Sequence, residues 1–261
     1  MDKKILFFDI DGTILSHRTY TISESTKAAI QKAQANGHLA FINTGRVISA
    51  IPKEIMELGF DGYVCGCGTY ISYRDQILLQ NLIPEELSKR LIIDLRKLGI
   101  DAVLEGPDAI YYDEASTHPV IKGVREYHDE NGFPTGSWDD PTIVINKFCI
   151  WSSYETANKA FMDKYAAYFD FIDRNHNLYE IVPKGYSKAS GIQFLIDHLN
   201  ISYDNTFAFG DGENDLPMLQ YAKQTIAMGN APQTIKDIVC FVTLDVDEGG
   251  IQYALEHYGF I

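Results

Sequence analysis

Short apolar runs alternate with segments of helical period at both ends of this chain, and the middle follows a different pattern. In the first third, residues 4–8 read as a strand. Residues 23–36 then read as a helix capped by Ser23, with Ile22, Ala29, Ile30 and Ala33 as its apolar positions. Asn36-Gly37 ends that helix, and residues 39–42 give the next short strand. A second helix is predicted over 49–58, closed by Gly59, and a third strand over 63–65. The last third repeats the rhythm, with helices at 188–199, 215–222 and 250–257 and strands at 206–209, 225–228 and 240–243. Strand–helix–strand repetition implies parallel pairing with right-handed crossovers.

The middle carries an amphipathic helix over 84–98, with Leu87, Leu91, Leu95 and Leu98 at helical spacing, then strands over 102–105 and 109–112. A second helix over 155–168 precedes strands over 169–173 and 178–182. These two helix–strand–strand units look like halves of one small α+β domain. Between them lie a helix near 118–129, a Gly- and Pro-bearing loop and a strand over 143–151. The expected fold class is therefore α/β: a doubly wound, Rossmann-like parallel-sheet core with an inserted α+β domain. The core would comprise residues 1–81 and 184–261 and the insert 82–183, joined through Gln80-Asn81-Leu82 and Pro183-Lys184-Gly185.

Composition narrows the function classes. The chain has 261 residues, 46% of them hydrophobic and 22% charged, as in an ordinary globular protein. A net charge of -14 with no basic stripe argues against nucleic acid. No segment is long enough for a membrane span. Lys3-Lys4 and the apolar run after it resemble the start of a signal peptide, but Asp9 and Asp11 interrupt the apolar region, so a cytoplasmic protein is expected. The four cysteines are irregularly placed, and Cys65-Gly66-Cys67 lacks the spacing of a redox pair or zinc knuckle; buried free thiols are expected. The seven histidines show no ligand spacing and read as surface or structural. Tyr111, Tyr112 and Tyr179 fall in strands of the insert, where they could line a cleft.

Polar chemistry collects just past apolar strands or at helix starts. Asp9-Ile10-Asp11-Gly12-Thr13 follows the first strand, Asn43-Thr44-Gly45-Arg46 the second, and Gly210-Asp211-Gly212-Glu213-Asn214-Asp215 the strand at 206–209; Lys188 opens a late helix. Carboxyl ends of parallel strands share one edge, so these segments can converge. Asp9 and Asp211 offer hard oxygen ligands suited to Mg²⁺. Thr44, the Gly45 amide, Asn214 and Lys188 offer donors for phosphate oxygens. Asp9 can attack phosphorus and Asp11 can handle protons. Along a strand, side-chain alternation would send Asp9 and Asp11 the same way. Taken singly, Asp215 fits a helix start and Lys188 an ordinary exposed lysine; their coincidence with the other segments favours a site.

These four motifs, Asp9 to Thr13, Thr44-Gly45-Arg46, Lys188 and Gly210 to Asp215, resemble those of the haloacid dehalogenase-like phosphohydrolases. The run from Glu180 to Lys188 and the phrase Ala227-Met228-Gly229-Asn230-Ala231 are similar to the Cof-type branch, whose members carry an α+β cap of subclass IIB between the second and third motifs. The likeness covers residues 1–80 and 184–261; within the insert only the layout matches. One departure is Cys67-Gly68, where the branch usually has Asn-Gly. Asn43 is polar where a small residue is commoner.

The resemblance implies Mg²⁺-dependent hydrolysis of a phosphate monoester through an aspartyl-phosphate. Asp9 would be nucleophile and Asp11 general acid/base. Asp9, the Asp11 carbonyl and Asp211 would ligate Mg²⁺, and Asp215 would hold a metal-bound water or orient Lys188. Thr44, Gly45, Lys188 and Asn214 would grip the phosphoryl group, while Arg46 either reaches toward substrate or pairs locally. The expected partner is a small phosphate ester, sugar phosphates first, with neither nucleic acid nor membrane, and the chain a monomer or weak oligomer. A cap would close over the leaving group and set selectivity. The alternatives are a phosphomutase and a catalytically silent phosphometabolite-binding protein.

Overall fold

The computed structural model describes residues 3–151, 155–175 and 177–261. In chain order, the first stretch gives β1 (Ile5–Phe8), α1 (Glu24–Ala35), β2 (Leu39–Asn43), α2 (Lys53–Glu57), β3 (Gly62–Cys65), β4 (Tyr70–Tyr73) and β5 (Gln76–Gln80). The middle gives α3 (Glu85–Leu98), β6 (Asp101–Glu105), β7 (Ile110–Tyr112), α4 (Pro119–Glu130), β8 (Thr135–Ser137), β9 (Lys147–Trp151), α5 (Glu155–Tyr165), β10 (Phe169–Asp173) and β11 (Leu178–Pro183). The last stretch gives α6 (Lys188–Leu199), β12 (Thr206–Gly210), α7 (Leu216–Tyr221), β13 (Gln224–Ala227), α8 (Gln233–Lys236), β14 (Phe241–Val242) and α9 (Gly250–His257). Two compact units result: Met1–Gly45 with Pro52–Leu78 and Ser187–Ile261, and Arg46–Ile51 with Leu79–Tyr186.

The first unit is built on an eight-stranded sheet in the order β14-β13-β12-β1-β2-β3-β4-β5. All four residues of β1 have zero exposure, as befits a central strand covered on both faces. β1 pairs in parallel with β12 on one side and β2 on the other, aligning Phe8 with Phe209 and with Ile42. That register decides where the chemistry goes. Asp9, Gly210 and Asn43 each follow one of these three aligned residues, so three motif loops leave the sheet at one edge.

The α/β class and parallel core are as predicted; several elements differ. The helix expected over 49–58 is a short 3₁₀ turn, Ile48–Ala50, followed by α2. Pro52 has no amide proton and disfavours helix in the residue before it, so the helix restarts only at Lys53. The antiparallel strand β4 and its neighbour β5 were not expected; Arg74, at φ 54, turns the chain between them. β9 starts only at Lys147, α5 stops at Tyr165, and β8 lies inside the predicted Gly/Pro loop. All four cysteines are free, but Cys240, next to edge strand β14, is exposed and Cys149 half-buried, against the expectation of burial. Among the described residues, no helix is long and apolar enough to cross a membrane.

The second unit carries a six-stranded sheet, β10-β11-β9-β6-β7-β8, antiparallel except between β7 and β8. Period-2 alternation sorts its residues. Leu104, Tyr111, Phe148 and Ile181 pack with Leu87, Leu91 and Leu95 of α3 and Phe161 of α5. Val103, Ile110 and Tyr112 instead pack with Val47, Ala50 and Ile121. Tyr111 and Tyr112 are therefore core residues of opposite faces.

Lys147, 3% exposed, bonds Glu105 at 2.9 Å and Glu180 at 2.8 Å, and Arg174 Nε donates to Glu180 at 3.0 Å. Burial pushes the Glu180 carboxyl up, but Lys147 and Arg174 outweigh it and hold the group well below its ordinary 4.5. A carboxyl depressed in the folded state stabilises the fold at pH values above its unfolded pKa. That contribution drains away as the pH falls from about 4.5 toward the lower folded value. Glu180→Leu should therefore cost about 3 kcal/mol of unfolding free energy at pH 7, where it takes one of two acids from buried Lys147 and an acid from half-buried Arg174, and markedly less at pH 3. Urea titrations of both proteins across that range check the slope; a deficit independent of pH would contradict it.

Candidate active site

The site grows from the edge that the register defines. β1 ends at Phe8, so Asp9 to Thr13 form a loop and strand alternation does not govern them. The shared orientation expected for Asp9 and Asp11 thus has no strand to enforce it. The Asp9 amide donates to Phe209 O at 3.0 Å, tying the loop's start to β12. Asp11 is half-exposed and forms an isolated bridge with Leu15, yet lies near enough for its charge to raise the Asp9 carboxyl.

Lys188, 1% exposed, is the hub. Its Nζ donates to Asp9 Oδ1 and to Asp215 Oδ1, each at 2.6 Å. Asp215 is completely buried, and its Oδ2 accepts the Asp211 amide at 2.8 Å and the Gly212 amide at 3.0 Å. Both Asp215 oxygens are thus engaged, an arrangement suited to holding Lys188. Burial works against the Lys188 charge, but Asp215 and Asp9 outweigh it and keep the ammonium protonated. Burial and then Asp215 raise the Asp9 carboxyl well above its ordinary 3.8, because one ammonium is shared between two acids.

Asp211 is held by groups the sequence reading passed over. Thr13 Oγ1 donates to Asp211 Oδ1 at 3.2 Å, and Asn230 Nδ2 reaches Asp211 Oδ2 at 3.3 Å and Gly12 O at 2.8 Å. Asn230 Oδ1 accepts the Val246 amide at 3.0 Å. Thr13 was visible only as a motif member and Asn230 only within the phrase Ala227 to Ala231. Gly12 has φ +79, and a Cβ there would lie 2.2 Å from Asp211 Oδ2, so the carboxylate's place depends on a missing side chain. Burial, then Asp215, pushes the Asp211 carboxyl up to about 6.

The remaining candidates are distributed as follows. Thr44 is buried at the end of β2, its amide on Val64 O at 2.9 Å and its carbonyl receiving the Cys67 amide at 3.1 Å; Gly45 is half-buried. The turn at Cys67-Gly68 therefore braces Thr44 through backbone atoms. A Cβ on Gly68 would stand 2.5 Å from Ser187 O, just before Lys188. Asn214 is half-buried with its Oδ1 folded toward Gly212. Arg46 belongs to the second unit, where Nη1 donates to Ala50 O at 3.2 Å; with burial its charge pushes His128 down to about 4.

Oxygens of Asp9, Asp211 and Asp215 lie within 4.8 Å of one another. When all three are ionised these carboxylates outnumber the one ammonium by two, with only the exposed His17 imidazole, 3.8 Å from Asp211, beside them among the described residues. The buried Asp9 Oδ2 has no hydrogen-bond partner. A hard divalent cation fits this donor set. The cluster can hold such an ion, hold an anion's oxygens at Lys188, and present a carboxylate oxygen for attack.

Comparisons with known proteins find hydrolases and phosphatases. The family model described as haloacid dehalogenase-like hydrolase matches residues 6–255. The Bacillus subtilis (strain 168) protein named "Putative phosphatase YkrA" is 32% identical over 264 residues, spanning 100% of both chains. From the same organism, 5-amino-6-(5-phospho-D-ribitylamino)uracil phosphatase YitU is 25% identical, covering 97% of each chain. A solved structure described as an HAD subclass IIB sugar phosphatase is 30% identical with a TM-score of 0.82, covering 99% of this chain and 100% of that one.

Removing the shared ammonium tests the electrostatics directly. Lys188→Met should lower the unfolding free energy by about 3–5 kcal/mol at pH 7 in chelator, since two buried carboxylates lose their counter-charge. Asp9, already raised by burial, then favours its protonated form further, so the deficit should narrow as the pH falls below 7. Urea titrations in EDTA give the comparison; an unchanged midpoint would refute this account of the cluster.

Proposed function

We propose, from the premise that this chain belongs to the haloacid dehalogenase-like hydrolases, Cof-type with a subclass IIB cap, and is a phosphatase, that it is a Mg²⁺-dependent hydrolase of small sugar phosphates. The observation that carries the mechanism is the state of Asp9. One of its oxygens is bonded to Lys188 and the other is buried without a partner at the sheet edge.

In this reading Asp9, Asp211 and the Asp11 backbone carbonyl would hold Mg²⁺, with Asp215 fixing Lys188 or a metal-bound water. The ion, when bound, supplies positive charge that offsets the phosphoryl oxygens. Asp9 attacks phosphorus, forming an aspartyl-phosphate as the ester oxygen leaves, and Asp11 donates the proton that oxygen needs. Asp11 then takes a proton from a water that attacks the phosphoaspartate, releasing phosphate and restoring Asp9. Thr44, the Gly45 amide, Asn214 and Lys188 donate to phosphoryl oxygens, and Arg46 reaches the substrate or serves only its local bond. Buried, fixed donors of this kind cost little reorganisation during the reaction. The sugar-phosphate preference draws on the subclass IIB neighbour, and YitU's substrate, a phosphorylated ribityl compound, extends the range to polyol phosphates.

A phosphomutase would use the same nucleophile and return phosphate to substrate. Incubation with a panel of several dozen phosphate esters separates the two: free phosphate marks a hydrolase, isomerised ester a mutase. On the best ester, Asp9→Asn should reduce turnover at least about a thousandfold, and Asp11→Asn about 10²–10⁴-fold. Substantial turnover by Asp9→Asn would remove it as nucleophile, and saturable binding without turnover across the panel would favour the silent binding protein.

A further inference from the structure

We infer that Asn43 is a positioning residue that sets Lys188, and with it the spacing between the two phosphate-binding segments; this rests on the reading of the site given above. Asn43 ends β2, a strand that is otherwise apolar, and has zero exposure. Its Nδ2 donates to the backbone carbonyl of Lys188 at 3.0 Å, across 145 residues of chain. Its Oδ1 is buried with no hydrogen-bond partner.

That half-satisfied amide is an odd way to build a core. A carbonyl in a helix's first turn already accepts an intrahelical bond, so α6 does not need a second donor there. An orphaned buried carbonyl oxygen costs at least as much as a typical hydrogen bond returns. By stability alone, an apolar side chain of similar shape would serve as well.

What Asn43 supplies is placement. Thr44 and Gly45 follow it directly, and Lys188 is the residue it holds. The start of α6 is fixed nearby by the Ser187–Ser190 capping box, with Ser190 N to Ser187 Oγ at 3.1 Å and Ser187 N to Ser190 Oγ at 2.9 Å. Those bonds fix the helix's own geometry. The Asn43 bond instead references residue 188 to β2, so that Lys188 Nζ meets Asp9 and Asp215 while Thr44 stays at a set distance from it. Misplacing a reacting group by about 1 Å costs on the order of a hundredfold in rate.

Asn43→Leu and Asn43→Ala test this, with Lys188→Ala beside them and para-nitrophenyl phosphate as the substrate in Mg²⁺. The expected result is a kcat about 10–100-fold below wild type with KM changed less, while the urea midpoint of Asn43→Leu stays at or above the wild-type value. A purely structural role predicts the reverse: a lower midpoint with kcat per folded molecule intact, and that outcome overturns the proposal. Wild-type kcat in either folded variant, with Lys188→Ala inactive, overturns the positioning role while leaving the reading of the site standing. Full turnover by Lys188→Ala overturns both. Failure of both Asn43 variants to fold makes Asn43 structural and likewise overturns the proposal.

Discussion

A single desolvated ammonium, shared between two buried carboxylates, is the constraint on which the site depends. Taking an ion out of water costs several kcal/mol even after relaxation, so Lys188 is tenable only where partners meet it at hydrogen-bond distance. Asp9 and Asp215 do so at 2.6 Å each, and they come from opposite ends of the chain. Satisfying one cation this way joins the loop after β1, the start of α6 and the loop after β12. The same arrangement undersupplies the acids. Asp215 finds two backbone amides for its second oxygen, whereas Asp9 finds nothing for its own. The fold thus leaves its shortage of donors at the buried Asp9 Oδ2.

The parallel register makes this convergence cheap. Phe8, Ile42 and Phe209 lie in one row, so whatever follows them arrives at one edge without long loops. Precision then comes from contacts among the loops. Asn230 spans Gly12, Asp211 and Val246, and Thr13 takes the other Asp211 oxygen. A carboxylate held on both oxygens keeps its orientation before any ligand arrives, which is what preorganisation requires.

This division explains what could be read from the sequence. The central strands announced themselves as unbroken apolar runs, because a strand buried on both faces has no polar position to spare. The residues at their ends stood out for the opposite reason, as charge where apolar character should continue. Elements with one exposed face were harder. β5 is mostly exposed or half-exposed, so its pattern does not separate from a loop. The predicted helix at 49–58 matched a period but ignored Pro52. Asn43, Thr13 and Asn230 were unreadable as functional because their bonds run across 145, 198 and 218 residues. Such bonds leave no periodicity, and the local sequence gives no sign of which carbonyl or carboxylate each amide or hydroxyl will meet.

The two units also use buried charge in opposite ways. In the second, Glu105 and Glu180 face Lys147 and Arg174, two negative charges against two positive, and every member named has a partner within its own sheet region. A network that closes on itself holds strands in register and has no charge left over for a ligand. In the first, Asp9, Asp211 and Asp215 face the single ammonium of Lys188, with the exposed His17 imidazole 3.8 Å from Asp211. A network that does not close is costly to fold, and its deficit of positive charge is what a divalent cation can offset. The unbalanced count of charges and the unpartnered Asp9 oxygen are what set the candidate active site apart from the closed network of the second unit.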